Sequence, residues 1–582
     1  MKRLLFLLWA VVPALLFAQY PLETYTELPD FTPIDRAAWD RQPEGLLAAW
    51  ASVDVRYPKN GVPDVRPSRK ALALSGWKGE KLNAQLVLWS KDGQADIRLE
   101  ASDLQGPGGA VIPSERVETH FVRYVMTDEF GQSGCGHRPD KTQFDSLLVA
   151  DVLDFADSFR LEARTVCPVW MTVKVPQDAA QGVYKGTVRV WCGDTEQAGL
   201  PFSVQVGRRT LPEPSEWSFH LDLWQNPYAV ARYYGTPLWS EAHFEAMRPL
   251  MKALADAGQK VITASIMHKP WNGQTYDYFD SMITWMKKYD GTWEFRYDVF
   301  DAWVEFMMSL GIDRQINCYS MVPWSLSFRY FDQKTNRMQV LHSQPGEKEY
   351  DEVWTALLTD FARHLKEKGW FDKTCIAMDE RPLPAMKQVL SLIRRADKDF
   401  KLSLAGLYYE EIEPDMYDYC LSPDQHMPLS VIERRRAEQK VSTYYTCCTD
   451  SRPNTFTFSP PAEAAWIGLY AARLHMDGYL RWAYNSWVEY PLQDSRFITW
   501  AGGDTYLVYP GFRSSIRFER LIEGIQQYEK VALLRAEFEK NGNRAGLKKL
   551  DRLVESFDLE KLKAGAEAGS AVRRAEEQLN RL

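Results

Sequence analysis

The feature that most restricts the fold is a change of pattern after residues 208–215, a stretch containing Pro212 and Pro214. From there eight short apolar runs follow one another, at residues 219–224, 260–267, 315–319, 374–378, 401–407, 416–421, 441–446 and 479–483. Amphipathic, helix-like segments separate most of them, at 241–257, 299–310, 350–368, 385–396 and 463–475, and 516–538 follows the eighth. Parallel strands covered on both faces read as continuous apolar runs, and each needs a crossover to bring the chain back. Eight such units over about 325 residues predict a (β/α)8 barrel of the TIM type at residues 211–540. The sixth run is the weakest.

Upstream the pattern is different. Residues 81–90, 170–175 and 184–191 alternate polar and apolar side chains, with Gly, Pro and Asp clusters between them and no long helical period. A β-sandwich at 19–210 fits. Beyond 541 the chain turns Ala-, Leu-, Lys-, Glu- and Arg-rich, predicting a C-terminal helical segment at 541–582. At the other end Lys2 and Arg3 precede an apolar run at 4–17, closed by the small Ala18. That is the layout of a signal peptide at 1–18, so the expected location is exported, periplasmic or secreted. No later segment reaches about 18 uninterrupted apolar residues, so no membrane insertion is expected.

Composition removes several function classes. Seventy basic residues against 78 acidic ones give a net charge of −8, with no basic surplus or stripe for nucleic acid. The eight Cys include no C-x-x-C. Cys318, Cys375, Cys420 and Cys447 read as small buried hydrophobes, and Cys167 with Cys192 is the one candidate pairing. Without metal-ligand spacing, a P-loop, G-x-S-x-G or H-E-x-x-H, no metal and no cofactor are expected.

Parallel barrels build their sites from the strand C-terminal ends and the loops after them. Those ends carry Trp224, Trp271, Trp324, the Tyr408-Tyr409 and Tyr444-Tyr445 doublets, Trp482, Tyr484, Asn485 and Trp487 around one acidic pair, Asp379-Glu380. Trp and Tyr present an apolar face with a polar handle, which suits the C–H patches and hydroxyls of a sugar ring. Five of the 21 Trp of the chain stand here, at 224, 271, 324, 482 and 487.

The fourth run reads Thr374-Cys375-Ile376-Ala377-Met378-Asp379-Glu380-Arg381-Pro382. Neighbours on a strand face opposite ways, so both acids share a pocket only if the chain turns at the strand end, a turn expected from Pro382. Two crowded carboxyls do not both ionise freely, and one pKa should rise. The competing reading is a helix-capping acid pair bridged to Arg381. Direct displacement at a sugar uses two carboxyls about 5–5.5 Å apart or more, flanking the bond. An adjacent pair suits substrate-assisted chemistry instead, in which the 2-acetamido oxygen is the nucleophile.

The C-I-A-M-D-E-R-P end of the fourth run, with the runs at 478–487 (G-Y-L-R-W-A-Y-N-S-W) and 499–511 (T-W-A-G-G-D-T-Y-L-V-Y-P-G), resembles glycoside hydrolase family 123. The resemblance covers nearly the whole mature chain. It implies a β-sandwich ahead of a catalytic barrel and an exo-acting β-N-acetylgalactosaminidase on glycosphingolipid-type or related glycans. It also implies that Asp379 steadies the acetamido group, that Glu380 is the acid/base, and that a Tyr, Tyr445 or Tyr408, donates to the acetamido oxygen.

The other candidate substrate contacts are Trp271, Trp482, Tyr484, Asn485 and Trp487, with barrel packing as the competing reading. His220 shares a strand face with Asp222 and is either a contact or half of a structural pair, and Asp504 reads either as a cap of its own loop or as a loop residue within reach of sugar hydroxyls. Two rival functions remain: a β-N-acetylglucosaminidase (hexosaminidase) of the same mechanism, and a non-catalytic glycan-binding protein.

Overall fold

The computed structural model describes residues 25–68, 70–128, 144 and 146–582, so the expected signal segment lies outside the described residues. The N-terminal part is two sheets. One runs Leu47–Ala51, Lys81–Ser90, Thr165–Lys174, Val117–Thr127, Leu147–Asp154; the other is led by Leu72–Lys78, Thr195–Thr210, Gly182–Cys192 and Gln94–Ala101. Their inner faces share one core, with Leu86, Leu88, Val169 and Met171 against Val188, Val190, Val204 and Val206. Cys167 and Cys192 do not pair. Their strands belong to different sheets, and both thiols are free. Cys448 is disulfide-bonded.

Eight parallel strands follow: His220–Leu223, Val261–Ser265, Gln315–Tyr319, Thr374–Asp379, Lys401–Gly406, Asp418–Leu421, Val441–Tyr445 and Gly478–Arg481. Their order around the sheet is 1-8-7-6-5-4-3-2, a nearly closed barrel. Along strand four Ile376 and Met378 join the main core, which is filled largely by the surrounding helices, while Ala377 clusters with the pocket aromatics. Each strand except the fifth is followed by an α-helix. Between strands five and six there is a single 3-10 turn, Glu413–Asp415, which corrects the expected eight-helix ring.

The seam between strands one and two is closed by side chains. Only Lys260 N–H reaches across the backbone, donating to the Leu221 carbonyl at 3.0 Å. Above it Gln259 imitates a peptide group: its Oε1 accepts from Leu223 N–H at 3.0 Å, and its Nε2 donates to the Leu223 and Val261 carbonyls at 3.2 and 2.7 Å. Gln225 repeats the device, donating to the Val261 carbonyl at 3.2 Å and accepting from Thr263 N–H at 3.0 Å. Buried backbone groups need such partners.

The helix Ile516–Lys540 lies between barrel and sandwich and is buried along most of its length, its charges included. Arg517 pairs with Asp151 at 2.8 Å, Arg520 with Asp54 at 2.9 Å, Glu519 with Lys81 at 2.7 Å, and Lys530 with Glu80 at 2.5 Å. The helices Arg544–Glu555 and Ala568–Arg581 pack against it. Sandwich and barrel loops also interlock: Met126 N–H donates to the Gln493 carbonyl at 2.8 Å, and Ser495 N–H returns the bond to Met126 at 2.8 Å.

Candidate active site

Strand four ends with Asp379 pointing inward, 7% exposed. Regular alternation would send Glu380 outward. Instead Glu380 adopts φ +47°, a left-handed turn that swings its side chain back toward the same cavity. The turn is therefore at Glu380 itself; Pro382, assigned that role by sequence, is the N-cap of the helix Leu383–Ala396. Strand five makes room. Gly406 lies against Glu380, whose N–H donates to the Ala405 carbonyl at 2.6 Å.

Asp379 Oδ2 accepts the Trp324 indole N–H at 2.9 Å, while its buried Oδ1 has no hydrogen-bond partner. Burial raises its pKa from 3.8 to about 6, opposed first by the charge of Arg381 and then by the Trp324 bond; repulsion from Glu380 is a lesser cause. Trp271 N–H lies near the same carboxyl and favours its charged form without closing a hydrogen bond. The raised pKa expected of the pair thus belongs to Asp379, chiefly through desolvation.

Glu380 is more open. Its Oε1 accepts from the Tyr445 hydroxyl at 2.9 Å, and burial followed by the Glu380 charge raises the phenol's pKa, so Tyr445 stays a donor. Both acids line a cavity of about 320 Å³. Its floor is aromatic: Trp224 and Trp271 ring centres lie 4.9 Å apart, and Tyr319 packs on both at 4.6 and 5.0 Å. Trp482 and Trp500 meet at 75° and 5.6 Å to form a wall.

Of the residues singled out from sequence, Asp379, Glu380, Trp224, Trp271, Trp324, Tyr445 and Trp482 line this cavity, whereas Tyr484, Asn485, Trp487, Tyr408 and His220 do not. Tyr484 is fully buried, its hydroxyl donating to the Leu250 carbonyl at 3.0 Å on the helix side. Asn485 clamps the Asn226 backbone, accepting from its N–H and donating to its carbonyl, both at 2.9 Å. Trp487 is buried and donates to the Val508 carbonyl at 2.8 Å. Tyr408 packs toward Tyr419, with ring centres 5.9 Å apart. His220 begins strand one, at the end away from the site, with Nε2 3.9 Å from Asp418 Oδ2 inside the barrel. Tyr408, Tyr484, Asn485 and Trp487 follow strand ends in the sequence, but the chain's path after the strand turns them into packing, and His220 lies at the opposite end of its strand.

Trp500, Gln274 and Leu407 line the cavity without having been singled out, and Trp500 stands in the 499–511 run. Asp504 also lines it, tied at 2.5 Å to Arg481 with both side chains fully buried. Among the described residues no group of His, Cys, Asp and Glu is placed to hold a metal ion, and no helix is long and apolar enough to cross a membrane.

Two carboxyls and an aromatic cage at the C-terminal ends of a parallel barrel define a glycoside hydrolase. Family models agree: the glycoside hydrolase 123 catalytic domain matches residues 224–534, and the glycoside hydrolase 123 N-terminal domain matches residues 50–191. The chain belongs to glycoside hydrolase family 123. A solved family 123 glycoside hydrolase from Clostridium perfringens, described in work on glycolipid glycan hydrolysis, is 28% identical over 92% of this chain and 97% of that one, with a TM-score of 0.82. A family 39 glycoside hydrolase from Bacteroides cellulosilyticus is 12% identical over 78% and 81% of the two chains, with a TM-score of only 0.33. No curated protein matches.

Proposed function

We propose that the protein releases terminal β-linked N-acetylgalactosamine from glycans by a retaining, substrate-assisted mechanism. The observation that carries this reading is the convergence of Asp379 and Glu380 on one aromatic cavity, each with a different partner. Asp379 offers the free Oδ1 to the acetamido N–H while Trp324 holds Oδ2. So oriented, the acetamido oxygen attacks C1, Glu380 gives its proton to the departing glycosidic oxygen, and an oxazolinium forms beside the Asp379 carboxylate. Water then opens the ring as Glu380 takes the proton back. An internal nucleophile held in place removes roughly 7–11 kcal/mol of barrier. The glycolipid glycans named for the Clostridium perfringens relative suggest the same substrate class here, and the basic-then-apolar segment at 1–18 supports an exported enzyme.

Release of nitrophenol from β-GalNAc and β-GlcNAc glycosides tests the reading. Wild-type turnover of the first is expected, with loss in Glu380→Gln and Asp379→Asn. Preference for the GlcNAc glycoside would make the enzyme a glucosaminidase, and inactivity on both removes the proposal.

A further inference from the structure

Two of the five tryptophans lining the site are sealed into its floor: Trp224 and Trp271 are 3% and 5% exposed. Trp324 is 40% exposed at the cavity rim, yet it is held on several sides. Its Nε1–H donates to Asp379 Oδ2 at 2.9 Å. The Arg381 guanidinium lies over its ring at 4.3 Å. Its own backbone N–H donates to the Pro270 carbonyl at 3.0 Å, tying its loop to the one that carries Trp271. Arg381 is fixed in turn, its Nε donating to the Asp379 carbonyl at 2.6 Å. With one ring face under the guanidinium, the exposed area belongs to the opposite face and the ring edge. Leu407, 50% exposed, adds a second apolar surface to the same cavity. An open apolar surface held this rigidly is prepaid for binding, because little freedom is left to lose.

Building on the proposed activity, we infer that the open face of Trp324 is the platform for the sugar unit next to the one released, and that the same indole positions Asp379. Asp379 and Glu380 occupy the bond-breaking point, so whatever follows the scissile oxygen must leave the cavity over its rim. A pyranose face of C–H bonds stacks on an indole as it does on other aromatic faces. Trp324 is thus a binding residue toward the neighbouring sugar and a positioning residue toward Asp379. The indole N–H prefers the charged carboxyl, and the ring prefers the sugar.

Two variants separate these roles on two substrates, methyl β-GalNAc, which has almost nothing beyond the oxygen, and a GalNAc-β-Gal disaccharide. Trp324→Phe keeps the ring and loses the N–H. It should lower kcat about tenfold on both substrates, leave the disaccharide KM nearly unchanged, and move the acid limb of kcat to higher pH. Trp324→Ala should in addition raise the disaccharide KM about tenfold while leaving the methyl glycoside KM alone. An equal KM change on both substrates overturns the platform, and an unmoved acid limb in Trp324→Phe overturns the positioning role. If wild type cleaves neither substrate, the proposed activity fails instead. Calorimetric binding of the disaccharide and of free GalNAc to Glu380→Gln, with and without Trp324→Ala, then still reads the platform: selective loss of disaccharide affinity supports it, equal or no loss sinks it.

Discussion

Gly406 lies so close to Glu380 that a Cβ at position 406 would stand 3.2 Å from both the Cα and the backbone nitrogen of Glu380. Gly406 also adopts φ +154°, which side-chain-bearing residues rarely do. A glycine on strand five therefore sets where the acid on strand four can sit. Gly406→Ala should cut kcat/KM about 100-fold by displacing Glu380 on the order of 1 Å, with a much smaller loss of thermal stability. Steady-state kinetics beside a melting curve checks this; an unfolded variant, or an unaffected rate, contradicts it.

The Tyr445 hydroxyl steadies Glu380 at 2.9 Å. Tyr445→Phe removes the hydrogen bond that holds the Glu380 carboxyl and leaves that oxygen without its partner, at about 1–3 kcal/mol. The expected result is a kcat/KM roughly 10- to 100-fold lower with the melting temperature nearly retained. A rate within twofold of wild type would show that the bond does not serve catalysis.

Asp379 sets a pH dependence in two directions. Its folded-state pKa, raised to about 6 by burial, lies above the ordinary 3.8, so the folded protein binds this proton more tightly than the unfolded chain does. Stability from this group is thus present at low pH and is lost as pH rises from about 4 through 6, by about 3 kcal/mol at ~1.4 kcal/mol per pH unit. Asp379→Asn, which cannot ionise, should melt higher than wild type at pH 8, with the gap closing toward pH 4. Activity runs the other way. The charged carboxylate orients the acetamido group, so wild-type kcat/KM should climb through about pH 6. A profile flat between pH 4.5 and 7 is incompatible with this role.

Gln259 closes the barrel seam with three hydrogen bonds to the Leu223 and Val261 backbone. Gln259→Ala leaves the buried Leu223 N–H without its partner and leaves the Leu223 and Val261 carbonyls to Gln225 alone, at about 1–3 kcal/mol. A fall in unfolding free energy of about 1–3 kcal/mol, read from denaturant melts, is expected, and a change below about 0.5 kcal/mol would mean that the seam closes without Gln259.

The Arg517–Asp151 pair joins barrel helix and sandwich with both side chains buried. Asp151→Asn strands the guanidinium of Arg517 and should cost about 3–5 kcal/mol. Because the loop at 493–504 bonds to the sandwich at Met126 and also lines the cavity with Trp500 and Asp504, activity should be lost together with structure. Independent melting of sandwich and barrel would argue against this coupling.

Much of the architecture was legible along the chain. Each barrel strand is an unbroken apolar run because both its faces are covered, so seven of the eight stood out, and the weak sixth was still placed. The missing fifth helix was not foreseen, since a short polar stretch around Glu413–Asp415 reads alike as a turn or a helix start. The site was legible in its acids and only partly in its aromatics. Trp271, Tyr445 and Trp482 reach the cavity, whereas Tyr484 and Trp487, with equal claims by position, are buried behind strand eight. Chain position says how far a residue lies past a strand, and not which way the loop then turns.

What the sequence by itself determined is the set of parts: a β-rich unit, eight strands with an acid pair ending the fourth, and a surplus of tryptophan. The tertiary structure decided how the parts meet. It turns Glu380 back toward Asp379 against a glycine contributed by another strand, it buries Asp379 under Trp271 and Trp324, and it leaves Trp324 itself 40% exposed at the cavity. These are contacts between residues far apart in the chain, and their energies depend on burial and close approach, which no local pattern of residues encodes.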